Sequence, residues 1–292
     1  MFLSAAASSF VVMMRTALVA LVVGAVLAVA TGCGGIRIVK YEFSDDTVVA
    51  EEVTEVRVEN GSGDVSIRYQ SGLSETKVHR RVLHRKNQKP EGATHRVEGG
   101  STLVLAECGS GCDVDYDVLV PDDKIVVKGK AGSGDTTVEG LASVDLVVSS
   151  GGLTVRDIKG DVKAKVNSGE LRATRVGGSL VADADSGEIM LDTIKGKMMV
   201  VAHSGDIVGT GLDNEITAVA DSGNVSLTLA SEQSVRADVS SGDITVRVPG
   251  GPYKLLGHSE NGDRTIAVPT DPAGKSELKL TTASGDVRVT GI

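Results

Sequence analysis

A Ser-Gly-acid tripeptide recurs along the second half of this chain at nearly fixed spacing, and that recurrence limits the possible folds more than any other feature. Counted on the glycine, it falls at Gly134, Gly151, Gly169, Gly187, Gly205, Gly223, Gly242, Gly262 and Gly285, at intervals of 17, 18, 18, 18, 18, 19, 20 and 23. A unit this short cannot bury an apolar face by itself, so a period near 18 without helical patterning predicts stacked repeats.

The pattern inside one period identifies the element type. After Gly187, the apolar residues Ile189, Leu191, Ile194, Met198, Val200 and Ala202 alternate with polar ones on either side of a turn at Gly196. After Gly151 the same positions hold Leu153, Val155, Ile158, Val162, Ala164 and Val166. Period-2 alternation marks strands with one buried face. The expected fold is therefore all-β: a single-stranded β-solenoid (β-helix) of about nine short coils, each with two or three strands and two Gly-marked corners. With coils ~4.8 Å apart, the rod is on the order of 40 Å long. Composition agrees, since the chain has no Trp and only Tyr253 is aromatic after Gly134, as a narrow core requires. Glycine at the corner suits a left-handed backbone, and the preceding Ser or Asn bonds locally to the turn.

The N-terminus reads as an address. Thr16 to Ala30 is apolar behind Arg15, too short to span a membrane in the usual way and suited to an export signal. Ala30-Thr31-Gly32 before Cys33 resembles a bacterial lipobox. The resemblance implies acylation of Cys33 after cleavage just before it, with an uncleaved anchor helix as the rival reading. The expected organisation is a lipoprotein signal over 1–32, anchor and linker over 33–50, an irregular β-rich N-terminal part over 51–130, and regular repeats over 131–292. Strand-like runs in the irregular part cover Glu55 to Glu59, Asp64 to Tyr69, Thr76 to Arg85, Ser101 to Ala106, Asp113 to Val120 and Lys124 to Lys128. The motif appears there once, at Ser62-Gly63-Asp64. At the other end, Asp286 and Arg288 put charges on the last strand, where they would discourage edge pairing.

From Val56 onward the chain resembles the bacterial putative-adhesin family of β-solenoid repeat proteins, a domain of unknown function. The residues that carry this are Glu59-Asn60-Gly61-Ser62-Gly63-Asp64-Val65, Val114-Asp115-Tyr116-Asp117-Val118-Leu119-Val120-Pro121, the serial Ser-Gly-acid corners, and Val268-Pro269 through Ser284-Gly285-Asp286-Val287. The resemblance implies an all-β solenoid at the cell surface and brings no catalytic residues with it.

Candidate chemistry is sparse. Cys108 and Cys112 sit in a Gly-rich loop able to close a small disulfide outside the cytoplasm. Free thiols are the remaining reading, because two cysteines alone supply too few zinc ligands. Asp135, Glu170, Glu188, Asp206, Asp243 and Asp286 follow corner glycines and are expected to splay into solvent. A calcium ladder is the alternative, although Gly152 and Asn224 interrupt the row. His79-Arg80-Arg81 and His84-Arg85-Lys86 read as the solvated face of an edge strand, or as a contact for lipid head groups, anionic wall polymers or an acidic partner. His79, His84, His95, His203 and His258 show no metal spacing, and His203 reads as a surface turn residue. No cofactor, no metal and no nucleic acid are expected: the formal charge is -9 and no aromatic platform accompanies the basic segment. The expected function is a non-enzymatic envelope lipoprotein that displays a repetitive surface. Its expected partners are the membrane, through the anchor, and an envelope protein or glycan. The alternative is a carbohydrate-binding or carbohydrate-active β-helix.

Overall fold

The structure is a computed structural model that describes residues 20–22 and 40–292. Cys33 and the expected signal segment lie outside the described residues, except for Ala20–Val22, a short strand antiparallel to Ser44–Asp46.

The repeat pattern resolves into two long sheets facing each other across an aliphatic core. Each coil contributes two strands, one before the Ser-Gly corner and one after it. Around Gly187, for example, Leu180–Ser186 leads into Ile189–Ile194. Strands that precede the corner form one sheet (sheet 1), strands that follow it form the other (sheet 2), and successive coils pair in parallel and in register. Inward residues thereby form ladders such as Leu153, Leu171, Ile189, Ile207, Val225 and Ile244, none more than 1% exposed. Burying each such side chain contributes roughly 1.5–3 kcal/mol, and it does so only because a neighbouring coil covers it.

The corner glycines stack into a column. Gly187 has φ +132°, and a Cβ there would collide with the backbone carbonyl of Gly169 one coil away. The same relation runs from Gly134 to Gly242. At the opposite corner, a second column of left-handed residues is formed by non-glycine positions: Asp157, Arg175 and Thr193 have φ of 55°, 54° and 58°.

Spatial order departs from chain order at both poles. At the N-terminal pole, Glu55–Ser62 and Val65–Tyr69 form a regular coil directly beneath Val126–Ser133 and Thr136–Glu139. The later strands Thr102–Ala106 and Cys112–Val120 lie outside that coil. The irregular segment therefore contains one ordinary coil and one displaced coil, with Thr76–Arg85 antiparallel against the latter. Residues 40–49, expected as linker, form the strand Lys40–Val49 antiparallel to Thr76–Arg85, because their alternation buries Phe43, Asp45 and Val49. Along the chain, the uninterrupted run of regular coils begins at Val126 rather than at residue 131.

At the C-terminal pole the same exchange occurs. Glu277–Ser284 and Val287–Gly291 stack on Val235–Ser241 and Ile244–Val248, while the earlier strands Lys254–Leu256 and Arg264–Ala267 lie outside them. Gly285 thus follows Gly242 in space and Gly262 comes last. The expected edge role of Asp286 and Arg288 is accordingly corrected: their strand is interior, and Arg264–Ala267 lies at the edge.

Replacing Gly187 with Ala should cost about 3 kcal/mol or more, since it adds left-handed strain to a backbone collision. At Gly250, whose φ of 64° faces open space, the same change should cost about 1–2 kcal/mol. Urea unfolding of the two variants checks the ordering.

Candidate functional site

The serial corner acids were expected to be solvated. Asp135, Asp243 and Asp286 are exposed as expected, and the structure also uses the short acids as a hydrogen-bond ladder. Asp64 Oδ1 accepts from the backbone N–H of Asp135 at 2.8 Å, and Asp135 Oδ1 from that of Gly152 at 2.7 Å. The series resumes from Asp206 to Asn224, Asn224 to Asp243, Asp243 to Asp286 and Asp286 to Asp263, at 2.7–2.9 Å. Asp115, in the displaced coil, accepts from Asp64 N–H in the same way. A carboxylate one bond from Cβ has the reach for the next coil's amide. Glu170 and Glu188, one methylene longer, take no part among the described bonds, and Glu170 pairs with Arg172 instead. At the other corner, Asp161 accepts from both the amide and the hydroxyl of Ser179, which holds its carboxyl below the usual range. These acids are structural, as are the glycines they follow.

The N-terminal cap holds the basic segment. His79–Arg85 is no edge strand: it lies between Lys40–Val49 and Cys112–Val120. Arg80 is 5% exposed and binds Asp45 through two bonds of 2.6 and 2.7 Å, with Thr94 Oγ1 and the Gly92 carbonyl completing its fork. Arg81 pairs with Asp115 at the surface, and His79 with Asp46. Tyr116 lies buried beside them, its hydroxyl donating to the Ala106 carbonyl, and burial pushes its phenol up to about 12. His95 is buried too, and desolvation together with the Arg80 charge pushes its imidazole below the ordinary 6.5, against a smaller opposing pull from Asp45. Cys108 and Cys112 are joined as a disulfide at this pole, with Cα atoms 5.7 Å apart. No signal in the sequence marked Asp45 as the partner of Arg80, because the pair forms only across the antiparallel cap.

The outer face of sheet 1 is the remaining feature. In-register pairing lines up Lys163, Val181, Met199, Thr217 and Arg236 in one outward row, and Lys165, Asp183, Val201, Val219 and Asp238 in the next. Met199 is 52% exposed and Val181 41%, so neighbouring strands present apolar side chains to solvent between charged flanks. One row nearer the corner stand Asp185, His203 and Asp221. His203 lies within its strand, one residue before its end, rather than in a turn, and its Nδ1 is 2.7 Å from Asp221 Oδ2. That contact raises the His203 pKa above its ordinary value.

The family model of the Toastrack domain, DUF4097, matches residues 47–290, which spans the repeats, both displaced coils and the cap from residue 47 onward. The chain belongs to the Toastrack DUF4097 family. Solved structures similar to this Toastrack chain include a putative adhesin from Bacteroides fragilis, at 15% identity and a TM-score of 0.42, covering 88% of this chain and 100% of that one. A putative cell adhesion protein from Clostridium sporogenes has 14% identity and a TM-score of 0.22, covering 86% and 100%. A putative adhesin from Parabacteroides merdae has 13% identity and a TM-score of 0.28, covering 86% and 96%. No curated protein matches the chain.

Two outcomes follow for the cap. Arg80→Ala should destabilise the fold by about 3–5 kcal/mol, because Asp45 is left buried and unpaired. Arg81→Ala should cost less than about 1 kcal/mol, its pair being exposed. Chemical denaturation separates the two. The second outcome concerns pH. Unfolded His95 takes up a proton near 6.5 and the buried ring only at lower pH, so stability present above that value falls as pH drops through it. In His95→Leu that part of the acid slope should disappear from thermal melts.

Proposed function

We propose that this chain is a non-enzymatic, lipid-anchored envelope protein whose solenoid presents the outer face of sheet 1 as a contact surface for adhesion or for an envelope partner. The observation that carries this reading is the apolar pair Val181 and Met199, continued by the half-buried Val201 and Val219, on a sheet face that also carries Lys163, Lys165, Asp183, Arg236 and Asp238. Neighbouring exposed apolar side chains rimmed by charge suit a contact surface. Chain geometry supports the anchoring half. The cap strand begins at Lys40, at the N-terminal pole, and Cys33 precedes it by seven residues. Such a tether reaches ~24 Å at most, so an acylated Cys33 holds this pole beside the membrane and directs the rod outward.

The glycan-active alternative would use an acid-lined cleft. A cleft of about 280 Å³ at the N-terminal pole is lined by Glu51, Glu52, Glu75 and Asp122 with Lys124. Turnover of envelope glycan that is lost in Glu75→Gln would establish that reading over the first.

Labelled palmitate should enter the wild-type protein and not Cys33→Ala; an unlabelled wild type rejects the anchor. Cells carrying Met199→Glu should lose the adherence shown by wild-type cells at equal surface level, and unchanged adherence rejects the contact face.

A further inference from the structure

Asp183, Asp185 and His203 sit on the outer face of sheet 1, and one donor atom from each lies within 4.8 Å of the others. Asp183 and Asp185 are two residues apart on the strand Leu180–Ser186 and so point to the same side. His203 comes from the next strand, Met198–Ser204, one coil along. Its Nε2 is 4.0 Å from Asp185 Oδ1, while its Nδ1 meets Asp221 Oδ2 at 2.7 Å on the far side.

We propose that Asp183, Asp185 and His203 form a surface site for a divalent transition-metal ion, zinc being the best fit. The donor set is mixed: one imidazole with two carboxylates suits zinc and its neighbours, whereas calcium and magnesium take oxygen ligands alone. The imidazole is already arranged for coordination. A metal-binding histidine characteristically gives its other N–H to a carboxylate, which fixes the tautomer and turns the free nitrogen toward the ion. Asp221 occupies that position, and the nitrogen left facing the two aspartates is Nε2. The ammonium of Lys165, from the strand on the opposite flank, lies 3.1 Å from Asp185 Oδ1 and 3.4 Å from both Asp183 oxygens.

Zinc ligands stand about 2.0–2.2 Å from the ion, so the three donors must close in by about an ångström or slightly more. All three side chains are at least 37% exposed, which leaves them free to rotate, while the paired strands fix their Cα positions. Three protein ligands leave a coordination position open, for water or for a donor from a partner on the same face. Lys165 competes with the ion for the carboxylates.

Calorimetric titration of the full chain in detergent with zinc sulfate tests the assignment. The expected result is one zinc per chain, weakened at least about tenfold in His203→Gln and about tenfold in Asp221→Asn. Lys165→Met should bind more tightly than wild type. An unchanged melting temperature certifies the fold of each variant, and Asp183→Asn with Asp185→Asn replaces His203→Gln should that variant fail to fold. Absence of wild-type binding at millimolar zinc, or wild-type affinity retained in His203→Gln, overturns the proposal.

Discussion

Parallel, in-register stacking of one coil on the next is the constraint on which the rest of this molecule depends. Every inward ladder, the glycine column and the Asp-to-amide ladder share a single translation along the rod. The column shows how strict that translation is: the corner backbones approach so closely that a Cβ at Gly187 or Gly205 would meet a carbonyl oxygen. Once the corners are this close, an aspartate following the glycine reaches the next coil's amide and adds a side-chain rung to the backbone ladder. Asparagine at residue 224 serves equally because its amide oxygen accepts in the same place.

A stack held together in this way has two exposed ends, and the chain manages both by leaving its own order. At each pole a coil is displaced outward past a neighbour in sequence, so that both neighbouring interior coils are covered. Each displaced coil also carries a tyrosine that is almost wholly buried: Tyr116 at one end and Tyr253 at the other. Their hydroxyls bond to the Ala106 and Pro249 carbonyls. The aromatic rings fill the wider space left where regular small-residue packing ends, and the polar tips satisfy carbonyls there. The N-terminal pole adds an antiparallel cap fastened by Asp45 and Arg80, a pair whose burial makes it costly to break.

Because turns and corners are absorbed by architecture, the outer sheet faces carry whatever distinguishes one coil from another. Register converts positions about 18 residues apart into neighbours. That is how Val181 meets Met199, and how Asp185, His203 and Asp221 come to form one row. Charge pairs along the face are exposed and contribute little to stability, so the face can vary at small cost to the fold.

The sequence by itself determined the repeat, the strand character of each half-coil, the inward residues and the corner glycines, because period-2 alternation and an 18-residue interval are local properties of the chain. It also placed one cap strand, Thr76–Arg85, while its antiparallel partner Lys40–Val49 was read as linker. Only the tertiary structure decided which coil lies at each end, since Gly262 and Gly285 have equivalent corners and nothing local orders them in space. The same limit hid the partners of the side chains. Asp45 and Arg80 are 35 residues apart, and the serial acids looked free until the next coil's amides stood above them. His203 showed no ligand spacing because its neighbours lie one coil away, and that adjacency exists only once the coils stack.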